Sequence, residues 1–306
     1  TISGVWNAFI MTARRIVIRG LIIFLIILEL FVHPSNATSK QRQSKPKSGA
    51  KRSRGRTAKR VAPPKPEIVC SLEEAQSVDP RDILDEGLRI GREGNLIGAR
   101  NCIEVYTNLV PDDVYGWTLL SEVSTRLEEH EDSLTAALRA VEVDAESVDA
   151  LFHVGTALMS LSRNAESEEY FTRALELDPE HVHTLTNLAT LYGNIHDHRR
   201  AVLLYDRVLA LQPDFFAAKY NMATALHSLK RFDQARVILE ELREKDPESF
   251  EVALALGNSL RELRSYVAAR DSYAAALRLR PTSAEAMLQL YTTKQQLVDW
   301  DGLEEL

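Results

Sequence analysis

Eight histidines, two cysteines and 44 carboxylates are the side chains of this 306-residue sequence with the chemistry to bind a metal or move a proton. Their spacing argues against both. His181, His183, His196 and His198 fall close together, but the members of each pair stand two residues apart. On a helix that sets the rings about 200° from one another, so neither pair chelates from one face. A closed zinc shell wants four ligands, and no cysteine lies nearby. Surface histidines at helix ends are the simpler reading. The run Glu128-Glu129-His130-Glu131-Asp132 reads as a solvated turn rather than an acid–base pair. No glycine-rich phosphate loop, nucleophile elbow or His-Glu-x-x-His motif occurs. The sequence therefore assigns no catalytic residue, no metal ligand and no cofactor. Cys70 and Cys102 are too few for a disulfide framework. The expectation is two free thiols, with a Cys70–Cys102 bridge as the alternative in an oxidising compartment.

The side chains left to consider are set by a repeat. With Val148 as position 1 of a 34-residue unit, prolines recur at position 32 as Pro111, Pro179, Pro213, Pro247 and Pro281, with Ala145 at the sixth station. Six units follow without insertion: 80–113, 114–147, 148–181, 182–215, 216–249 and 250–283. Position 8 is small every time (Gly87, Ser121, Gly155, Ala189, Ala223, Gly257), and so is position 20 (Ala99, Ser133, Ser167, Ala201, Ala235, Ala269). Position 24 is large in five units (Ile103, Phe171, Tyr205, Leu239, Tyr273), with Ala137 the exception. Each unit predicts two antiparallel helices, over about positions 1–14 and 15–29, the second closed by proline. A seventh first helix starts at Ala284, where Met287 and Leu290 keep the pattern and Tyr291 and Lys294 break it. The expectation is an all-α solenoid over residues 80–306, whose core is the sum of contacts between neighbours.

At 100° per residue, positions 4, 7, 8 and 11 of a first helix share one direction. Positions 2, 5, 6, 9, 12 and 13 point mostly away from it, into the inner curve. There the best repeats carry His183, Thr186, Asn187, Thr190 and Asn194, then Tyr220, Asn221, Thr224, His227 and Ser228, then Asn258, Arg261 and Glu262. Asparagine is a mediocre helix former, yet Asn187 and Asn221 hold position 6 in consecutive units. An amide both donates and accepts, so it can hold an extended peptide backbone. Simple tolerance at a half-exposed site is the alternative. The strip from His183 to Arg261 is the candidate peptide-binding groove, and a protein or peptide is the expected partner.

Leu151, Val154-Gly155, Leu158, Ser167, Phe171, Ala174 and Pro179 match, in order and spacing, the tetratricopeptide pattern large–x2–Leu–Gly–x2–Tyr…Ala–x3–Phe…Pro, with serine for alanine. Residues 80–297 resemble that family. The resemblance implies a right-handed superhelix of six repeats plus a partial seventh, whose concave surface binds peptides or partner proteins. The paired lysines with which chaperone-binding members clamp a C-terminal carboxylate have no counterpart at the inner positions of 148–283. A narrower likeness covers residues 283–306. Their Ala–x–Leu helix, a glutamine, Asp299-Trp300 and an acidic tail resemble the junction where the repeats of O-linked N-acetylglucosamine transferases pass into the catalytic domain, with Val298 where cysteine is common. That likeness implies a substrate-recognition region whose catalytic part lies beyond Leu306.

Charge divides the chain. Residues 1–66 hold 14 Lys/Arg against one acid, Glu29, and the remainder 23 against 43. Arg14, Arg15 and Arg19 precede an apolar run, Gly20–Leu28 with Leu30–Val32, ahead of Ser35-Asn36-Ala37. Residues 1–37 read either as a cleaved signal peptide or as a short retained anchor, whose flanking positive charge would leave the C-terminal side cytosolic. A secreted or lumenal repeat protein is a further alternative, under which the sequon at Asn36 matters. Residues 38–79 read as a disordered basic linker. Lys40–Arg60 is a solvated spacer, or a patch for an anionic membrane surface, or an import or nucleic-acid signal. The last is disfavoured because no aromatic residue is interleaved for base stacking. The sequence assigns no oligomeric state.

Overall fold

The computed structural model describes Cys70 and residues 78–304, with side chains to residue 297. The apolar segment of 1–37, the sequon at Asn36 and the basic stretch Lys40–Arg60 lie outside the described residues, as do the side chains of Asp299 and Trp300. Among the described residues there are 13 helices and no strand. They alternate as first and second helices of the six units: α1 Pro80–Arg92 and α2 Leu96–Leu109, α3 Val114–Arg126 and α4 His130–Val143, α5 Val148–Ser160 and α6 Asn164–Leu177. Then come α7 Val182–Asn194 and α8 His198–Leu211, α9 Phe216–Ser228 and α10 Phe232–Lys245, α11 Phe250–Glu262 and α12 Tyr266–Leu279, and finally α13 Ala284–Glu304. No helix of the described residues is long and apolar enough to cross a membrane.

Within a unit, the small residues at positions 8 and 20 do what their size allows. Every one of them is buried in the contact between the two helices, and position 24 inserts beside them. A Cβ built on Gly155 would stand 2.6 Å from two ring carbons of Phe171, and one on Gly257 2.6 Å from Tyr273. Where position 8 is instead serine, position 24 shrinks to Ala137, and the freed space holds a polar contact: Ser133 Oγ lies 2.9 Å from Ser121 Oγ and donates to the Ser121 carbonyl at 3.0 Å. Ser167 likewise donates to the Gly155 carbonyl at 2.7 Å. Between units, position 27 faces the next first helix, and Tyr106 there sits so close to Gly116 that a Cβ would meet its ring at 2.7 Å. Burying each of these large side chains contributes about 1.5–3 kcal/mol.

The helix bounds correct the sequence expectation. First helices occupy positions 1–13 and second helices 17–30, not 1–14 and 15–29. The corner needs a residue of its own. Position 15 has positive φ in every unit: Gly94 at 90°, then Glu128, Ser162, His196, Lys230 and Arg264 between 59° and 63°. The amide of position 16 reaches back five residues, as in Arg163 N–H to the Leu158 carbonyl and Arg231 N–H to Leu226, both 2.9 Å. This is the Schellman end that glycine normally supplies. Five L-residues therefore carry a conformation costing roughly 1–2 kcal/mol each. Lys230→Gly is expected to stabilise the solenoid by roughly 0.5–1 kcal/mol, read as a higher urea midpoint, since the gain is partly offset by unfolded-state freedom.

A second correction concerns the thiols. Cys70 and Cys102 are not free but joined in a disulfide. Cys102 is 1% exposed on α2, within a small core of Ile83 and Val105 against which Cys70, Val78 and Ile90 pack. That cluster brings the two Cα atoms to 4.8 Å, inside the span a bridge requires. The four clustered histidines do lie at helix ends, but His181 and His198 are half-buried rather than on the surface, and Nδ1 of His198 is buried without a hydrogen bond.

Candidate functional site

One cleft of about 520 Å³ runs across the first helices of the second and third units to the start of the fourth. From α3 it is lined by Tyr115, Thr118, Leu119, Glu122, Thr125 and Arg126, which are positions 2, 5, 6, 9, 12 and 13 of their unit. From α5 come Asp149, Phe152, His153 and Thr156, at positions 2, 5, 6 and 9. His181 and His183 close the far end. The helical arithmetic that defines the inner face thus defines this lining.

Phe152 is its centre. The half-buried ring rests on Phe171 of the core at 6.2 Å and is edged by His153, His181 and His183 at 5.2, 5.7 and 6.1 Å. His181 is the residue before the first turn of α7, and its Nδ1 lies 2.6 Å from the hydroxyl of buried Thr184. Its Nε2 lies 3.6 Å from Asp149. Burial pushes the pKa of His153 below its ordinary value, against the opposing pull of Glu122 and Asp149. Burial lowers His181 in the same way, again opposed by Asp149. Both shifts favour the uncharged ring, which suits it to an aromatic wall. Among the described residues no group of three or more His, Cys, Asp or Glu side chains is placed to share a metal ion.

Of the residues read from the sequence, His183 borders this cleft, exposed. Asn187 reaches its floor, donating through Nδ2 to Thr156 Oγ1 at 3.0 Å, while Thr156 donates to the Phe152 carbonyl at 2.9 Å. Farther along, the polar strip bonds largely to itself. Thr186 donates to the Val182 carbonyl. Thr190 donates to Thr186 and meets the Tyr205 hydroxyl at 3.0 Å. Burial pushes the Tyr205 pKa up, against the downward pull of the Asn221 amide, half-buried nearby. Thr224 donates to the carbonyl of half-buried Tyr220. His227 Nδ1 lies 3.1 Å from Ser259 Oγ and the ring packs on Phe232. Asn258 accepts from the Tyr273 hydroxyl at 2.8 Å, and Arg261 bonds Gln289 and Glu262. Asn194 is exposed on the last turn of α7. Most of these bonds stay within one unit; His227 to Ser259 and Arg261 to Gln289 cross to the next. The cleft around Phe152 lies in the second and third units, ahead of this strip. Tyr115, Glu122, Phe152 and His153 stand at inner positions of those units, outside the three units from which the strip is read. The usable signal is an aromatic residue at an inner position, which Phe152 shares with Tyr220, both at position 5 of their units.

Two smaller clefts, of about 360 and 440 Å³, lie between successive second helices, one beside Leu203 and the other beside Val237.

Two family models described as tetratricopeptide repeat match residues 126–182 and 196–258. Solved structures share the fold. PilW, a widely conserved type IV pilus biogenesis factor, is 20% identical with a TM-score of 0.64, over 69% of this chain and 98% of that one. PilF of Pseudomonas aeruginosa is 17% identical with a TM-score of 0.61, over 74% and 99%. YrrB, a repeat protein with an unusual peptide-binding site, is 17% identical with a TM-score of 0.52, over 60% and 95%. Among curated proteins, none matches the sequence. The described chain is therefore an all-α superhelix of tetratricopeptide repeats.

Proposed function

We propose, from a solenoid of tetratricopeptide repeats, that this chain is a protein-interaction scaffold that seats a partner peptide in the cleft around Phe152. The observation that carries this reading is the cleft's lining: ten of its residues come from the six inner positions of two consecutive units. Its lining sets an aromatic anchor, Phe152, with Tyr115 and Leu119 among polar and charged groups that fix a ligand's orientation in such sites. Selecting a random peptide library on the full chain tests it. Phe152→Ala should weaken the selected peptides at least about 10-fold, as loss of a central aromatic does. Leu203→Ala, 64% exposed on a second helix, should leave them unchanged. Peptides that respond to Leu203 and ignore Phe152 would move the site to the opposite face.

A second reading treats the solenoid as the recognition region of a sugar-transferring enzyme. It is favoured by α13, which runs for 21 residues where the six other first helices stop at 13, within the segment that resembles a repeat-to-catalytic junction. Transfer of a sugar to protein hydroxyls by a longer product of the same gene, lost with Phe152→Ala, would support it. The bridge between Cys70 and Cys102 supports an oxidising compartment.

A further inference from the structure

The charges that line the Phe152 cleft are unevenly answered. Glu122 is exposed and makes no ion pair with any described residue. The Asp149 side chain is 74% exposed, and its one close partner is the His181 ring at 3.6 Å, an imidazole that burial shifts toward its uncharged form. Arg126 is the single fixed cation of the lining. Beside these carboxylates two aromatic side chains line the cleft: Tyr115, at 54% exposure, and half-buried Phe152. A side chain entering here meets aromatic rings and negative charge together. That combination favours a cation whose stem is apolar, because a guanidinium or ammonium gains from the ring quadrupole and from the carboxylates at once. An anionic group would meet two carboxylates and one arginine. In a cleft the attraction is screened less than on an open surface.

We infer that the cleft takes a cationic side chain, an arginine or lysine next to an aromatic or aliphatic residue, on the partner peptide. The inference deepens the proposed function and rests on it.

Three fluorescein-labelled octapeptide pools test it: one of arginine with phenylalanine, one of glutamate with phenylalanine, and one of arginine with serine. Each is titrated against the full chain by anisotropy, and against Glu122→Gln with Asp149→Asn and against Phe152→Ala. The basic arm of residues 1–66 attracts the glutamate pool equally in every variant, so the informative quantity is the change between variants. The arginine–phenylalanine pool should bind at least about 10-fold more weakly to the double carboxamide variant and to Phe152→Ala, and also weaken as salt rises. The arginine–serine pool should bind more weakly than arginine–phenylalanine to the unaltered protein. If arginine–phenylalanine binding depends on Phe152 but survives both carboxamides unchanged, the charge preference is overturned and the peptide groove stands. If none of the pools responds to Phe152→Ala, both ideas fall. Thermal melting of each variant separates loss of binding from loss of fold, and the exposed carboxylates can be altered without disturbing the core.

Discussion

Gly155→Leu should cost the middle of the solenoid at least about 3 kcal/mol, the upper range for overpacking a core. Even the first added carbon would lie 2.6 Å from Phe171 Cδ1 and Cε1. Phe171 cannot retreat, since it is fully buried and Phe152 lies against it. The helix cannot slide either without breaking the Ser167 bond to the Gly155 carbonyl. Repeats interact only with their neighbours, so amide exchange should rise in α5 and α6 first. Two comparisons make the expectation specific to packing. At Gly193, in the last turn of α7, a Cβ would have nothing within 4 Å, so Gly193→Ala should stabilise by up to about 1 kcal/mol. Gly155→Leu combined with Phe171→Ala should recover part of the loss, because the second unit already pairs a larger position 8, Ser121, with Ala137. Additive losses in the double variant, measured by urea unfolding, would show that the two side chains do not compete for one space.

Reducing the disulfide should loosen the first repeat. Cys70 and Cys102 stand 32 residues apart, and closing a loop of that size stabilises by about 3–4 kcal/mol in the chain-entropy account. Cys70→Ser is the cleaner test than a change at Cys102, which is 1% exposed in the small core. Exchange should accelerate in α1 and α2, with the later repeats little affected. Identical melting of the unaltered chain with and without reductant would show that the bridge contributes nothing, or does not form.

The glycine contact and the bridge are unequally visible in the sequence. The close approach at Gly155 is legible, because a small residue at one fixed step and a large one at another recur through the units. The bridge is not, since two cysteines far apart carry no spacing signal and only packing of Val78 and Ile90 brings them together. The left-handed corner is also invisible. Glu128, Ser162, His196, Lys230 and Arg264 share no chemistry, so the backbone demand they satisfy leaves no mark on residue type. For the cleft, helical geometry identifies the inner positions that line it, in units ahead of the strip from His183 to Arg261. The helical arithmetic puts Leu151, at position 4, in the core, where it has no exposed surface, and Phe152, at position 5, on the inner face. That Phe152 also rests on Phe171 is seen only in the fold.

The corner residues, from Gly94 to Arg264, are all exposed, and each holds the same place in its unit. They form a graduated scale along one edge, a mark for every hairpin. Spectroscopic labels attached at two of them would register any stretch or flexing of the intervening segment when a guest settles in, without touching the seat itself.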